Sequence, residues 1–204
     1  SIKKALEDLT GKKAPGPTPS FSIYDAIKGL WVIAETGSVG RGKLSEKIGL
    51  GKGATRTLLA RLTEAHLIST SRSGCSLTKK GRELWRMIRE AIPHISEIGP
   101  NELTFAEHSV LVHVRGRGER IRRGLEQRDA AVRAGARGAI TMIYRDNKLT
   151  LPAITDDAAQ AYPLVYEQVT RLLDLEENDV AIIVCADTQR EAEYGALAAA
   201  WTII

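Results

Sequence analysis

Only two cysteines occur in this chain, Cys75 and Cys185, far apart and without a CxxC neighbour. That excludes a disulfide framework and leaves small buried apolar side chains as the expected role for both. Aromatic residues make up 5% of the sequence, too few for a stacking platform of the kind that reads single-stranded nucleic acid. No apolar run approaches the roughly 20 residues of a membrane span, and no basic n-region leads into an apolar h-region, so a membrane partner and a secretory signal are not expected. The default reading is a soluble, cytoplasmic protein. Histidine is sparse: His66, His94, His108 and His113 have no zinc spacing with the cysteines. His108 and His113 are five apart in a β-rich run, which places them on opposite faces of a strand. GxSxG and GK[ST] are missing too, and Asp156-Asp157 needs no explanation beyond a helix cap. No enzyme, cofactor or metal is expected from this inventory.

The chain does have an uneven charge. Residues 1–99 carry 17 lysines and arginines against 9 acids, a net +8, whereas residues 100–204 carry 12 against 16, a net −4. A basic front joined to an acidic back suits a polyanion-binding module attached to a domain with another task.

The front half is organised around Gly53 to Thr78. At 100° per residue, Leu58, Leu62, Thr55, Ala54, Leu59 and Ala65 share one side of a helix, and Arg56, Thr57, Ala60, Thr63 and Glu64 the other. Leu67 and Ile68 then open an extended run, Arg72-Ser73-Gly74 supplies a turn, and Cys75 and Leu77 alternate as a returning strand. Upstream, residues 1–20 read as a short helix over Ser1 to Leu9 and a Pro/Gly linker, GKKAPGPTPS, at Gly11 to Ser20. Ser22 caps a helix whose apolar stripe is Ile23, Ile27, Leu30, Trp31 and Ala34, with Asp25 completing a capping box and Gly37 ending the element. A second helix, Arg41 to Ile48, is followed by the glycine-bearing turn Gly49-Leu50-Gly51-Lys52-Gly53. This is helix-turn-helix order. A fourth helix runs from Lys79 to about Ile92 and stops at Pro93.

Phe21 to Ala91 resembles a winged-helix domain of archaeal and bacterial transcription regulators. The resemblance rests on ATRTLLARLTEAHLI at 54–68 and LTKKGRELW at 77–85. The sequence departs from that pattern at His66, where glycine often ends the helix, and at Thr57, where arginine is common. EQRDAAVRAGARGAITMIY at 126–144 extends the resemblance to archaeal two-domain proteins that join a winged helix to an uncharacterised C-terminal α/β domain. It implies a DNA-binding transcription regulator in which domain 21–92 reads DNA and domain 104–204, across a linker at 93–103, senses a small molecule or dimerises. The alternative is an RNA-binding protein or an accessory of translation or RNA processing, and after it an enzyme carried by the C-terminal domain.

In the back half, strands are expected at Ser109 to Val114, Ala139 to Tyr144, Leu149 to Ile154 and Val180 to Ala186. Helices are expected at Glu119 to Ala134, Ala158 to Leu173 and Glu191 to Trp201. The order β-α-β-β-α-β-α gives an α+β protein, its second domain a two-layer sandwich with helices on one face of a mostly antiparallel sheet.

For contact with double-stranded DNA the candidates are Arg56, Thr57, Ala60 and Arg61 toward the major groove, Arg41, Lys43 and Lys52 at helix starts, and Arg72 on the wing. Arginine can pair with the two acceptors of guanine, small residues allow close approach, and basic side chains beside helix N-termini suit phosphates. For a small-molecule effector the candidates are Arg115, Arg117 and Arg120 around an Arg-Gly-Arg-Gly turn, with Asp187 and Thr188 at a strand end. A homodimer would set two recognition helices one helical turn apart.

Overall fold

A computed structural model describes residues 1–11 and 19–204. Residues 12–18 of the linker expected at 11–20 therefore lie outside the described residues. The chain divides into two compact units, Ser1–Ile88 and Arg89–Ile204.

The first unit begins with α1 (Ile2–Thr10), which buries Leu6 and Leu9. Next comes α2 (Ile23–Thr36), whose capping box is complete: Asp25 N donates to Ser22 Oγ, and Ser22 N donates to the Asp25 carboxylate at 2.8 Å. α3 (Arg41–Ile48) and α4 (Lys52–Glu64) follow. Ser45 Oγ donates to Leu50 O at 2.5 Å and fixes the turn between them. Strands β1 (Ile68–Ser71) and β2 (Gly74–Leu77) form an antiparallel hairpin, and an isolated bridge pairs Val39 with Cys75 beside its turn. Gly74 is obligatory there: its φ is +118°, and an added Cβ would lie 2.4 Å from Val39 O. Helix α5 (Lys79–Ala91) contains the boundary between the units.

Two local motifs of this unit have clear physical causes. At the end of α4, Leu67 N donates to Leu62 O and His66 N to Thr63 O, with His66 at φ +60°. This is the Schellman closure, with histidine in the left-handed position that usually takes glycine. In Leu77-Thr78-Lys79-Lys80-Gly81, Thr78 Oγ1 accepts from Gly81 N at 3.0 Å and donates to His66 O at 2.6 Å. Gly81 sits against the chain so closely that a Cβ would be 2.0 Å from Leu67 O.

The second unit is built on a five-stranded antiparallel sheet. Its strands are β3 (His94–Glu97), β4 (His108–Val114), β5 (Gly138–Arg145), β6 (Lys148–Thr150) and β7 (Val180–Ala186), in the spatial order β3-β4-β7-β5-β6. The central strand β7 is buried along its whole length, as a strand covered on both faces must be. In its registers, Ile183 faces Leu111 and Ile140, and Ala181 faces His113 and Met142. Helix α6 (Leu125–Arg133) and helix α9 (Gln189–Trp201) cover the face that carries Val184; a Cβ on Gly195 of α9 would touch Val184 and Ala136 at 2.8 Å. On the other face, Leu111, Met142, Ala181, Ile183 and Cys185 share a core with Ala158 of α7 (Ala158–Ala161) and Val165 and Val169 of α8 (Pro163–Leu172).

The α+β class thus holds, while the helices occupy both faces of the sheet and not one, making three layers. Three segment boundaries also differ from the periodicity. The helix expected over Glu119 to Ala134 is a single 3-10 turn at Gly118–Arg120 followed by α6, because Gly124 adopts φ +82° between them. The helix expected over Ala158 to Leu173 is broken at Tyr162, where Pro163 restarts it as an N1 residue. The strand expected over Leu149 to Ile154 ends at Thr150 and turns through Pro152 and Ala153, the latter at φ +63°. The segment 93–103 is more than a linker: His94–Glu97 is an edge strand paired with β4. Further along, the Glu102 carboxylate caps α8 by accepting from Leu164 N and Val165 N, both at 2.9 Å. Desolvation raises the Glu102 carboxyl, but those two N–H bonds, with one from its own backbone, outweigh it and hold the group below its ordinary range.

Candidate nucleic-acid interface

Helix α4 presents two unlike faces. Thr55, Leu58 and Leu62 are fully buried, and the two leucines each contribute about 1.5–3 kcal/mol by leaving water. That anchorage turns Lys52, Arg56, Ala60, Thr63 and Glu64 outward; Thr57 is half-buried, with its hydroxyl donating back to Gly53 O at 3.1 Å. Gly51 caps α4 without a side-chain hydrogen bond, and Gly40 does the same for α3. The first N–H groups of both helices are left for an outside acceptor. Lys52, Arg41 and Lys43 are exposed at these same helix starts, and Arg72 is exposed at the hairpin turn. Ser38 Oγ donates to Ser73 O at 2.9 Å, tying that turn to the residues just before α3.

One of the expected contacts has a different role. Arg61 Nη1 donates to Leu9 O at 3.2 Å and to Gly11 O at 2.8 Å, so its guanidinium satisfies the last carbonyls of α1 and not a base edge. The helix wheel placed Arg61 on the flank, and α1 is packed on that flank.

The effector candidates of the second unit are likewise committed internally. Arg115 Nη1 donates to Asp179 Oδ2 at 2.7 Å and to Asp174 O at 3.1 Å. Arg117 Nη1 donates to Arg115 O, and Arg120 Nη1 to Ile203 O and Ile204 O. Asp187 receives a two-pronged contact from Arg137 at 2.9 and 3.1 Å, while Thr188 caps α9. Gly118 is held by packing, since a Cβ would fall 2.4 Å from the Asn178 side chain. The Arg-Gly-Arg-Gly turn is therefore held as a clasp by contacts within the unit.

A buried polar cluster that no local pattern announces lies in the same place. Asp179, fully buried, accepts from His113 Nε2, Arg115 Nη1, Gly116 N and Glu176 N at 2.7 to 2.9 Å. The one available signal was a histidine inside the apolar run HSVLVHV. Among the described residues, no three histidine, cysteine or acidic side chains come together to hold a metal ion, and no helix is long and apolar enough to cross a membrane.

Comparison with known proteins follows the same two-part division. Residues 22–83 match the profile of the family described as "PH0730-like, N-terminal domain", and residues 105–203 match "Domain of unknown function (DUF4443)". Among solved structures, the chain is similar to "Hypothetical protein PH0730 from Pyrococcus horikoshii OT3", with a TM-score of 0.73 and 24% identity. The alignment covers 90% of this chain and 93% of that one. At that identity the likeness concerns the fold. No curated protein matches the sequence.

Proposed function

We propose that the chain is a DNA-binding regulator whose first unit docks α4 in the major groove of a duplex and braces the backbone with α3 and the hairpin. One observation carries the reading. Arg41, Lys43, Lys52, Arg56 and Arg72 are all exposed, form no ion pair among the described residues, and stand at two uncapped helix starts, on the outer face of α4 and at a hairpin tip. An ordinary solvated surface intersperses charges of both signs and caps its helices; here cations and bare N–H groups coincide on the elements that meet a duplex in helix-turn-helix docking. Arg56, beside the small Ala60, is the base-reading candidate. Lys52, Arg41, Lys43 and Arg72 are positioned for phosphates.

The test is a salt titration of binding to labelled duplex DNA, in parallel with duplex RNA and single-stranded DNA of the same sequence. The expected result is preference for duplex DNA, with log K falling against log salt at a slope of about −4, as four neutralised phosphates require. No binding to duplex DNA at low salt, or tighter binding to RNA, would overturn the proposal.

A further inference from the structure

Helix α6 carries an outward face that its own fold leaves uncovered. Gln127, Ala130 and Ala131 are buried beneath it, while Leu125 is 50% and Val132 47% exposed. These two lie seven residues apart, within about 20° of each other around the helix, one above the other. Taking Leu125 as the centre line, Asp129 projects about 40° to one side and Arg128 about 60° to the other. Both charged side chains are 53% exposed, and within the single chain they pair with each other at 3.3 Å, an exposed contact that opens when each head turns to its own flank. A single exposed leucine is ordinary. An apolar line with opposite charges on its two flanks is a surface that complements itself.

We propose that α6 is the surface through which two copies of this chain associate, the two helices running parallel about a two-fold axis along their length. That operation sets Leu125 against the partner's Leu125 and Val132 against the partner's Val132. It also carries the arginine flank of one copy onto the aspartate flank of the other, so Arg128 meets the partner's Asp129 on both sides of the seam. An antiparallel pair would set arginine against arginine and aspartate against aspartate, which selects the parallel arrangement. Nine residues of helix provide a short seam, so the dimer is expected to be reversible, forming at micromolar concentrations.

The proposal stands apart from the DNA reading, because its readout is mass. In sedimentation equilibrium the full chain is expected to be a dimer, and Val132→Glu is expected to weaken it at least about tenfold. Arg128→Asp and Asp129→Arg, each alone, should sediment as monomers, since each places like charges on both flanks; mixed in equal amounts they should restore the dimer. Val132→Cys should form a disulfide-linked dimer on mild oxidation while Glu167→Cys on α8 does not; the native Cys75 and Cys185 are buried and do not interfere. Val132 and the two charged residues are exposed, and unchanged circular dichroism verifies the fold of each variant. A chain that stays monomeric at about 100 µM, a dimer indifferent to the charge reversals, or a Val132→Cys variant that fails to cross-link would overturn the proposal.

Discussion

His113 Nε2 lies 2.7 Å from Asp179 Oδ2, with the two side chains 2% and 0% exposed. Burial pushes the imidazole below its ordinary range and outweighs the raising effect of the Asp179 carboxylate, with the Arg115 charge adding a smaller push in the same direction as burial. Burial also disfavours the Asp179 anion, but hydrogen bonds from Glu176 N, His113 and Gly116 N outweigh it and hold that carboxyl low. Both groups thus bind fewer protons folded than unfolded, so stability rises with pH. The histidine's share is present in full above about pH 6.5 and is lost as pH falls through its lower folded value; the aspartate's is present above about pH 3.9 and is lost on further acidification. Calorimetry from pH 8 to pH 4 should show the second unit's melting temperature falling with acid. Asp179→Ala should cost at least about 1–3 kcal/mol, since it leaves the buried His113 and the Gly116 and Glu176 N–H groups without their acceptor while Arg115 keeps Asp174 O.

Gly81 leaves no room for a side chain. Replacing it with alanine drives a methyl group into Leu67 O, which a Cβ would approach to 2.0 Å. The expected loss is at least about 3 kcal/mol, the upper end for overpacking, seen as an earlier unfolding transition in urea. A variant as stable as the parent would show that the α4 end and the α5 start are looser than described.

His66→Gly should do the opposite. A left-handed backbone costs a non-glycine residue roughly 1–2 kcal/mol, and the exposed His66 at φ +60° has no packing to lose. Chemical denaturation should register a gain of about 1 kcal/mol, less the entropy that glycine adds to the unfolded chain.

Arg56→Ala and Arg61→Ala separate reading from scaffolding on one helix. The first should weaken duplex binding by about 1–3 kcal/mol with an unchanged melting curve. The second should lower stability by about 0.5–1.5 kcal/mol through the loss of its hydrogen bonds to α1. Binding and melting measured on both variants distinguish the two roles directly.

Local signals explain what the sequence disclosed. Ser22 with Asp25 announces a capping box, Gly37 a helix end, and Thr78 with Gly81 a helix start, because each acts on backbone groups within a few residues. The contacts that escaped are made by partners distant in sequence. Nothing in His94–Glu97 is long enough to show alternation, and only pairing with β4 makes it a strand. Tyr162-Pro163 and Gly124 were visible breakers that the apolar periodicity around them concealed. Arginine is the least legible residue: Arg61 and Arg120 meet carbonyl oxygens about 50 and 84 positions away in the chain, whereas Arg56 meets solvent, and no spacing rule tells them apart.

The bridge between Val39 and Cys75, together with the bond from Ser38 to Ser73, ties the hairpin down beside its tip. A loop free to flap would have to be immobilised on each encounter with a ligand, at a cost in entropy that weakens association. A tethered one presents Arg72 at a set distance from Arg41 and Lys43 before anything arrives. Longer or shorter spacings of phosphate on the opposing molecule would then be measured against a rigid ruler.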